Sequence, residues 1–310
     1  MESIQHHDVA APLGGRLDQP AWRTWLRGLA RFVRRKPLGA FGGFVVAVML
    51  LTAVLADVIA PYGYNDQVLA DRMQPPSAAH PFGTDHVGRD LLSRVIYGTR
   101  VSVVIGFSAI FLSMAVATAL GTVSGYYGGK LDTILQRLVD VWLAFPALIL
   151  LLTAVSILSP RGSPMERGLA IVISLALILG ISSSRVIRGA VIGIKHNQYV
   201  EAARTLGASD LRIVFRYIIP NIFAVIIVLA TVQLGVAILA EASISFLGYG
   251  IPDPFPAWGQ MLNSQGIGYM RAAWWLAFWP GLAIALVVFA FNMLGDALRD
   301  VLDPRLRGGR

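Results

Sequence analysis

Six apolar stretches, each about twenty residues long, decide what this chain can fold into. They cover roughly residues 38–60, 101–123, 138–158, 168–187, 218–240 and 274–295 of 310. At 1.5 Å of rise per residue, a helix of that length spans the ~30 Å hydrocarbon core of a bilayer. The backbone finds no water there, so an open chain crosses only as helix, with each N–H bonded inside its own segment. The expected fold class is an all-α integral membrane protein with six transmembrane helices. Composition agrees, since 55% hydrophobic and 14% charged residues make the chain too apolar for a soluble domain of this length. Several spans hold Gly, Ser, Thr and Ala, which let helices approach closely. The chain has no cysteine, which excludes disulfides, thiol nucleophiles and Cys-rich metal sites.

The net charge of +8 could point to nucleic acid. The basic residues flank the apolar stretches, however, so topology is the better account and no nucleic-acid partner is expected. With the N-terminus in the cytoplasm, nineteen Lys and Arg fall inside; seven fall outside (Arg72, Arg89, Arg94, Arg100, Arg161, Arg167 and Arg271). That asymmetry predicts both termini inside. Residues 1–19 lack periodicity and read as a disordered tail. His6 and His7 have no further ligands nearby, so no metal site is expected. From Pro20 onward, Trp22, Trp25, Leu26, Leu29, Phe32 and Val33 share one helical face, while Arg23, Arg27, Arg31 and Arg34 fall largely elsewhere. This suits a helix in the inner membrane interface, or else a solvated basic tail. The first apolar stretch starts only at Leu38 and is too long for a signal-peptide core. The expected organisation is a cytoplasmic tail with an interfacial helix (1–37), a first transmembrane helix with an external segment (38–100), a transmembrane core (101–297) and a cytoplasmic C-terminal tail (298–310).

The longest polar interval in the second half is 197–221, NQYVEAARTLGASDLRIVFRYIIPN. It predicts two short helices with a break. Asn197 can cap the first, and Gly207 stands where a left-handed residue ends it. Ser209 or Asp210 can cap the second, whose apolar positions Leu211, Val214, Phe215 and Ile218 recur at helical spacing. Pro220 marks the start of the next span. By local physics alone this is equally an ordinary loop stiffened by helices. Its residues also carry a likeness. Glu201-Ala202-Ala203, Gly207 and the pair Ile219-Pro220 resemble the EAA loop, the signature of ABC-importer permease subunits. The resemblance implies that the first helix, with Glu201, Ala202, Ala203, Arg204, Leu206, Gly207 and Ala208, docks into a groove on a separate ATPase subunit.

Outside the membrane, residues 80–102 hold His80, Asp85, His86, Arg89, Asp90, Arg94 and Arg100. A turn at 81–83 is expected, then a partly amphipathic helix on which Asp90 and Arg94 can pair four apart. The histidines lack tight ligand spacing, so no metal is expected there. As a whole the stretch resembles the G-T-D-x-x-G-R-D-x-x-S-R segment of one permease branch, the second permease of dipeptide, oligopeptide and nickel importers. Residues 125–146, with Gly128-Gly129, Asp132, Asp140 and Phe145-Pro146, are similar to the same branch. So are 241–262 and 291–304. The likeness covers nearly everything from His80 on and implies the type I ABC importer (MetI-like) permease fold. It also implies a homologous, non-identical permease partner, with a homodimer left open, two ATPase subunits and a periplasmic or lipoprotein substrate-binding protein.

Nothing in the chain resembles the P-loop G-x-x-x-x-G-K-[ST]. ATP and Mg are therefore expected on the partner ATPases, with no cofactor and no catalysis on this chain. Polar groups inside spans are candidates for the pathway. Gln233 and Glu241 are the two put forward, while Asp140, Asn292 and Asp296 read rather as helix–helix or headgroup contacts. The Pro-rich loop 250–258 reads as a rigid connector or, by resemblance, as part of an outer gate under a docked binding protein. Peptides are the expected cargo by family frequency, with nickel chelates, opines, glutathione or sugars as alternatives. A transporter driven by an ion gradient is the other class, which inverted repeats and midplane carboxylates would favour. A membrane enzyme would need a catalytic constellation that the spans do not hold.

Overall fold

The computed structural model describes residues 30, 32–159, 163–263 and 269–302. The tail 1–19, most of the basic amphipathic segment, Arg161 and the C-terminal Arg305, Arg307 and Arg310 lie outside those residues. Residues 32–35 are helical. The elements that follow are α1 Pro37–Ile59, α2 Leu91–Tyr127, α3 Gly129–Leu143, α4 Ala147–Leu158, α5 Pro164–Ile194, α6 Gln198–Thr205, α7 Asp210–Phe246, α8 Trp258–Leu262 and α9 Trp275–Leu302. Among the described residues no β-strand forms.

Five of these helices are long and apolar enough to cross a membrane: α1, α2, α5, α7 and α9. The third apolar stretch departs from expectation. It is no single helix but two, α3 and α4, which meet at 88° across residues 144–146. Pro146 is the reason. It has no N–H to give the helix, and its ring disfavours helical backbone at Phe145. A second departure is α7. The second short helix of the 197–221 interval does not end before the fifth span but runs into it, through a π turn at Val214–Ile218. Pro220 sits just after the π turn, inside the combined helix. The wider bond from Ile219 N–H to the Val214 carbonyl carries the backbone past it, and Asn221 Nδ2 donates to the Tyr217 carbonyl at 2.6 Å.

Close approaches between helices fix their directions. A methyl placed on Gly180 would come within 2.8 Å of the Ser113 carbonyl oxygen. One on Gly121 would meet the Ser184 carbonyl at 2.6 Å, and one on Gly125 the Arg188 carbonyl at 3.0 Å. Residue numbers rise together along the two helices, so α2 and α5 run parallel, backbone against backbone. The chain must return between them from the C-terminal end of α2 to the N-terminal end of α5. The bent pair α3–α4 makes that return and thus counts as a crossing, the sixth. α1 runs opposite to α2, since Arg100 Nε donates to the Ala53 carbonyl at 2.9 Å and the Tyr62 N–H donates to Ser93 Oγ at 3.1 Å. α9 runs opposite to α7, with Gly295 against Val232 and Gly235 against Phe291. The bundle therefore has two ends. The near end carries the start of α1, the ends of α2, α5 and α9, α6, and the start of α7. The far end carries residues 60–90, the start of α5 and residues 248–263.

Candidate coupling site

At the near end, α6 is closed on both sides by its own backbone. Asn197 has extended geometry (φ −67°, ψ 146°), and its carbonyl accepts from Val200 and Glu201 at 2.9 and 3.1 Å. Its side chain does not cap; Nδ2 donates to the Tyr199 hydroxyl at 3.2 Å. At the other end the Ala208 N–H reaches the Ala203 carbonyl and the Gly207 N–H the Arg204 carbonyl, both at 3.0 Å. This is a Schellman turn, and Gly207 (φ +81°) takes its left-handed position.

One face of α6 is nailed down. Val200 and Ala203, three apart, are buried. Val200 joins Ile213, Val214, Ile218 and Ile222 of α7, Ala117 and Tyr126 of α2, and Ile187 and Val191 of α5 in one apolar cluster. The opposite face is open: Glu201, Ala202, Arg204, Leu206 and Gly207 are exposed, and Ala208 is half-buried. Here the structure corrects the expectation that Leu211, Val214, Phe215 and Ile218 form one apolar face. Val214 and Ile218 point into the cluster, whereas Leu211 and Phe215 are 68% and 67% exposed, beside Leu206 at 88%. Three large apolar side chains thus stand in the open beside α6.

Polar contacts tie this end to the bundle. The Tyr126 hydroxyl donates to Asp210 Oδ1 at 2.6 Å, and Arg204 Nη2 reaches the same hydroxyl at 3.5 Å. That contact raises the Arg204 pKa above its ordinary value. Lys195 Nζ donates to the Gly125 carbonyl at 2.9 Å. Arg188 clamps Asp132 through Nε at 2.7 Å and Nη2 at 2.6 Å, joining α5 to α3. Arg185 reaches Asp140 through Nη2 alone, a second tie from α5 to α3. Tyr126, Asp132, Arg188 and Lys195 were not legible as site residues. The basic pair counts only toward membrane orientation in the sequence, and nothing local singles out Tyr126.

The two pathway candidates lie far from α6 on α7. Gln233 is half-buried and donates from Nε2 to Ser183 Oγ of α5 at 2.9 Å. Glu241 is 1% exposed; one carboxylate oxygen accepts from Ser245 Oγ at 2.7 Å, and the other has no partner. A groove of about 740 Å³ runs past it, lined by Leu148, Leu239, Ala242, Phe246, Val288 and Asn292 among others, but Glu241 itself is not in the lining.

At the far end the expected Asp90–Arg94 pair does not form. Asp90 caps α2, accepting from the Ser93 N–H and hydroxyl at 2.7 Å each, and takes His80 Nδ1 at 2.9 Å. Arg94 is buried and faces Asp85 at 3.9 Å and Asp253 at 3.4 Å, with Arg89 bound to Asp85 at 2.6 Å. A cap satisfies a free helix N–H, which an exposed ion pair four residues on cannot do. The cluster also fastens the Pro-rich loop to the start of α2, since Arg94 Nη1 donates to the carbonyls of Tyr64 and Pro254.

The bundle thus carries a helix with one open face, α6, at one end and a charge-pinned loop at the other. Residues 117–308 match the family described as binding-protein-dependent transport system inner membrane component, and the chain belongs to that family. Residues 22–76 match the N-terminal TM domain of oligopeptide transport permease C. The chain is 42% identical over 283 residues to the dipeptide transport system permease protein DppC of Haemophilus influenzae, covering 89% of this chain and 94% of that one. It is 38% identical over 286 residues to the DppC protein of Alkalihalophilus pseudofirmus, covering 92% and 90%. To the glutathione transport system permease protein GsiD of Pectobacterium atrosepticum it is 39% identical over 287 residues, 92% of each. The chain is thus a multi-pass permease subunit of a binding-protein-dependent ABC importer. Membership implies partner ATPase and substrate-binding proteins, and the ion-gradient alternative is not favoured.

Proposed function

We propose that this chain is half of the translocation pathway of a peptide importer, with the near end in the cytosol and α6 as the helix that receives an ATPase subunit. The observation that carries the reading is the split character of α6. Val200 and Ala203 bury one face in the bundle, while Glu201 and Ala202 present a small, exposed face flanked by Leu206, Leu211 and Phe215. A helix so held moves as one body with whatever binds its open face. ATP and Mg²⁺ are then held and hydrolysed on two partner subunits, with no cofactor and no catalysis on this chain. The other half of the pathway is a homologous, non-identical permease, and a periplasmic or lipoprotein receptor delivers the cargo. Short peptides as cargo are supported by the names of the dipeptide relatives. Gln233 and Glu241 are kept as the pathway candidates, Gln233 bonded to Ser183 of α5 and Glu241 to Ser245, with neither in the lining of the groove.

The test uses the absence of native cysteine in this chain. Ala202→Cys, carrying a thiol-directed photo-cross-linker, is expected to capture an ATPase subunit in the assembled complex. Proteoliposomes of the complex with its receptor are expected to accumulate labelled dipeptide only with ATP. A complex that accumulates dipeptide without ATP, or a cysteine that captures no ATPase, would overturn the reading.

A further inference from the structure

We propose that Tyr126 is the positioning residue that ties α6 to the parallel α2–α5 pair, so that displacement of α6 reaches those helices directly and not through α7 alone. The inference rests on reading α6 as the ATPase-receiving helix.

The covalent route from α6 to the bundle leads through the Schellman turn and then through the π turn at Val214–Ile218. A π turn is a local widening of the helix, frequent at functional sites, and it interrupts the regular hydrogen-bond ladder. A push delivered along α7 alone would meet that turn before reaching the spans. Tyr126 offers a route around it. It sits at the C-terminal end of α2 and is only 7% exposed, with its ring in the cluster that holds Val200, Ile213, Val214 and Ile218. Its hydroxyl spans the turn between α6 and α7. It donates to Asp210, the first residue of α7, at 2.6 Å and accepts from Arg204, near the end of α6, at 3.5 Å. The Arg204 guanidinium also lies 5.8 Å from the ring centre.

A phenol has one proton to give and lone pairs to receive, and this one uses both, on two different elements. Packing alone would be met equally by Phe, so the hydroxyl marks a second task. One residue earlier, the Gly125 carbonyl takes Lys195 Nζ from the end of α5. Gly121 and Gly125 pack α2 directly on the α5 backbone. A load arriving at Tyr126 is therefore shared by two helices that cannot slide past each other without a clash.

The experiment is reconstituted transport by the full complex, reading labelled dipeptide accumulated per ATP hydrolysed. Tyr126→Phe keeps the ring and removes the hydroxyl. It is expected to lower that ratio about three- to tenfold, the factor that one lost hydrogen bond gives. Asp210→Asn keeps an acceptor oxygen and is expected to stay near wild type, whereas Asp210→Ala is expected to fall with Tyr126→Phe. If Asp210 served only as a negative charge at a helix start, the Asn and Ala variants would fall together, and the proposal would be wrong. Each variant is made with the cross-linker at Ala202→Cys. Capture of the ATPase together with an unchanged ratio in Tyr126→Phe overturns this proposal and leaves α6 as the docking helix. Failure of capture in the parent chain overturns both.

Discussion

Gly207 closes α6 in the left-handed conformation (φ +81°), which a residue with a Cβ takes only with strain. Gly207 was legible, because a helix of this kind needs a left-handed residue to end it and Gly takes that conformation without strain. Arg94 was not. Its number places it four residues after Asp90, yet burial turns it toward Asp85 and toward Asp253, far along the chain. Nothing local announces a partner that distant. Gly207 also gives a clean prediction. No atom of this chain lies within 4 Å of where its Cβ would stand, so within the chain a substitution acts through backbone conformation. Gly207→Ala is expected to cost about 1–2 kcal/mol at the turn, and Gly207→Asn less, since Asn visits the left-handed region more readily. The measure is ATP-driven uptake of labelled dipeptide, where Ala should impair coupling more than Asn. Equal, wild-type uptake by both variants would mean that the turn does not hold α6 in register.

Among the elements, the α2–α5 pair and the broken third span teach opposite lessons. The break follows from Pro146, visible in the sequence, but its 88° angle depends on what α3 and α4 rest against. The α2–α5 contact was legible only as a general abundance of small residues. Which glycines face the partner helix is a matter of rotation about the helix axis, and an even apolar coat hides that rotation. The structure separates two kinds of glycine within the pair. Gly121 touches Ser184, Ile187 and Arg188, whereas Gly189 has nothing within 4 Å of its would-be Cβ. Gly121→Ala is expected to destabilise by about 1–3 kcal/mol, because a methyl forces two backbones apart. Gly189→Ala is expected to stabilise by about 0.5–1 kcal/mol, because Ala loses less entropy in a helix interior. Thermal midpoints of the detergent-purified complex should move in opposite directions. A common direction would mean that α2 and α5 do not pack through these faces.

For the whole molecule, the crossings were legible from apolar length alone, and the Lys and Arg count adds an expected direction, with both termini inside. Six alternating crossings already imply that α2 and α5 run in the same direction; the bend at Pro146 is what reopens the question. Two topologies fit the same apolar stretches. If the pair dips in and returns, α5 starts on the side where α2 ended, and Met165 faces the same compartment as Lys130. If the pair crosses, Met165 lies with Gln67 on the far side, and Lys130 lies with Ala202 on the near side. The contacts Gly121 to Ser184 and Gly125 to Arg188 require the second arrangement, as does Arg167 Nη1 donating to the Gly250 carbonyl at 3.3 Å. Gln67, Lys130, Met165 and Ala202 are exposed, and the chain has no cysteine to confuse the label. In intact cells a membrane-impermeant maleimide is expected to label Gln67→Cys and Met165→Cys. Ala202→Cys and Lys130→Cys should react only after the inner membrane is opened. Protection of Met165→Cys together with labelling of Gln67→Cys would make the bent pair re-entrant, and would put the start of α5 at the wrong end of the bundle for every contact that Gly121 and Gly125 make.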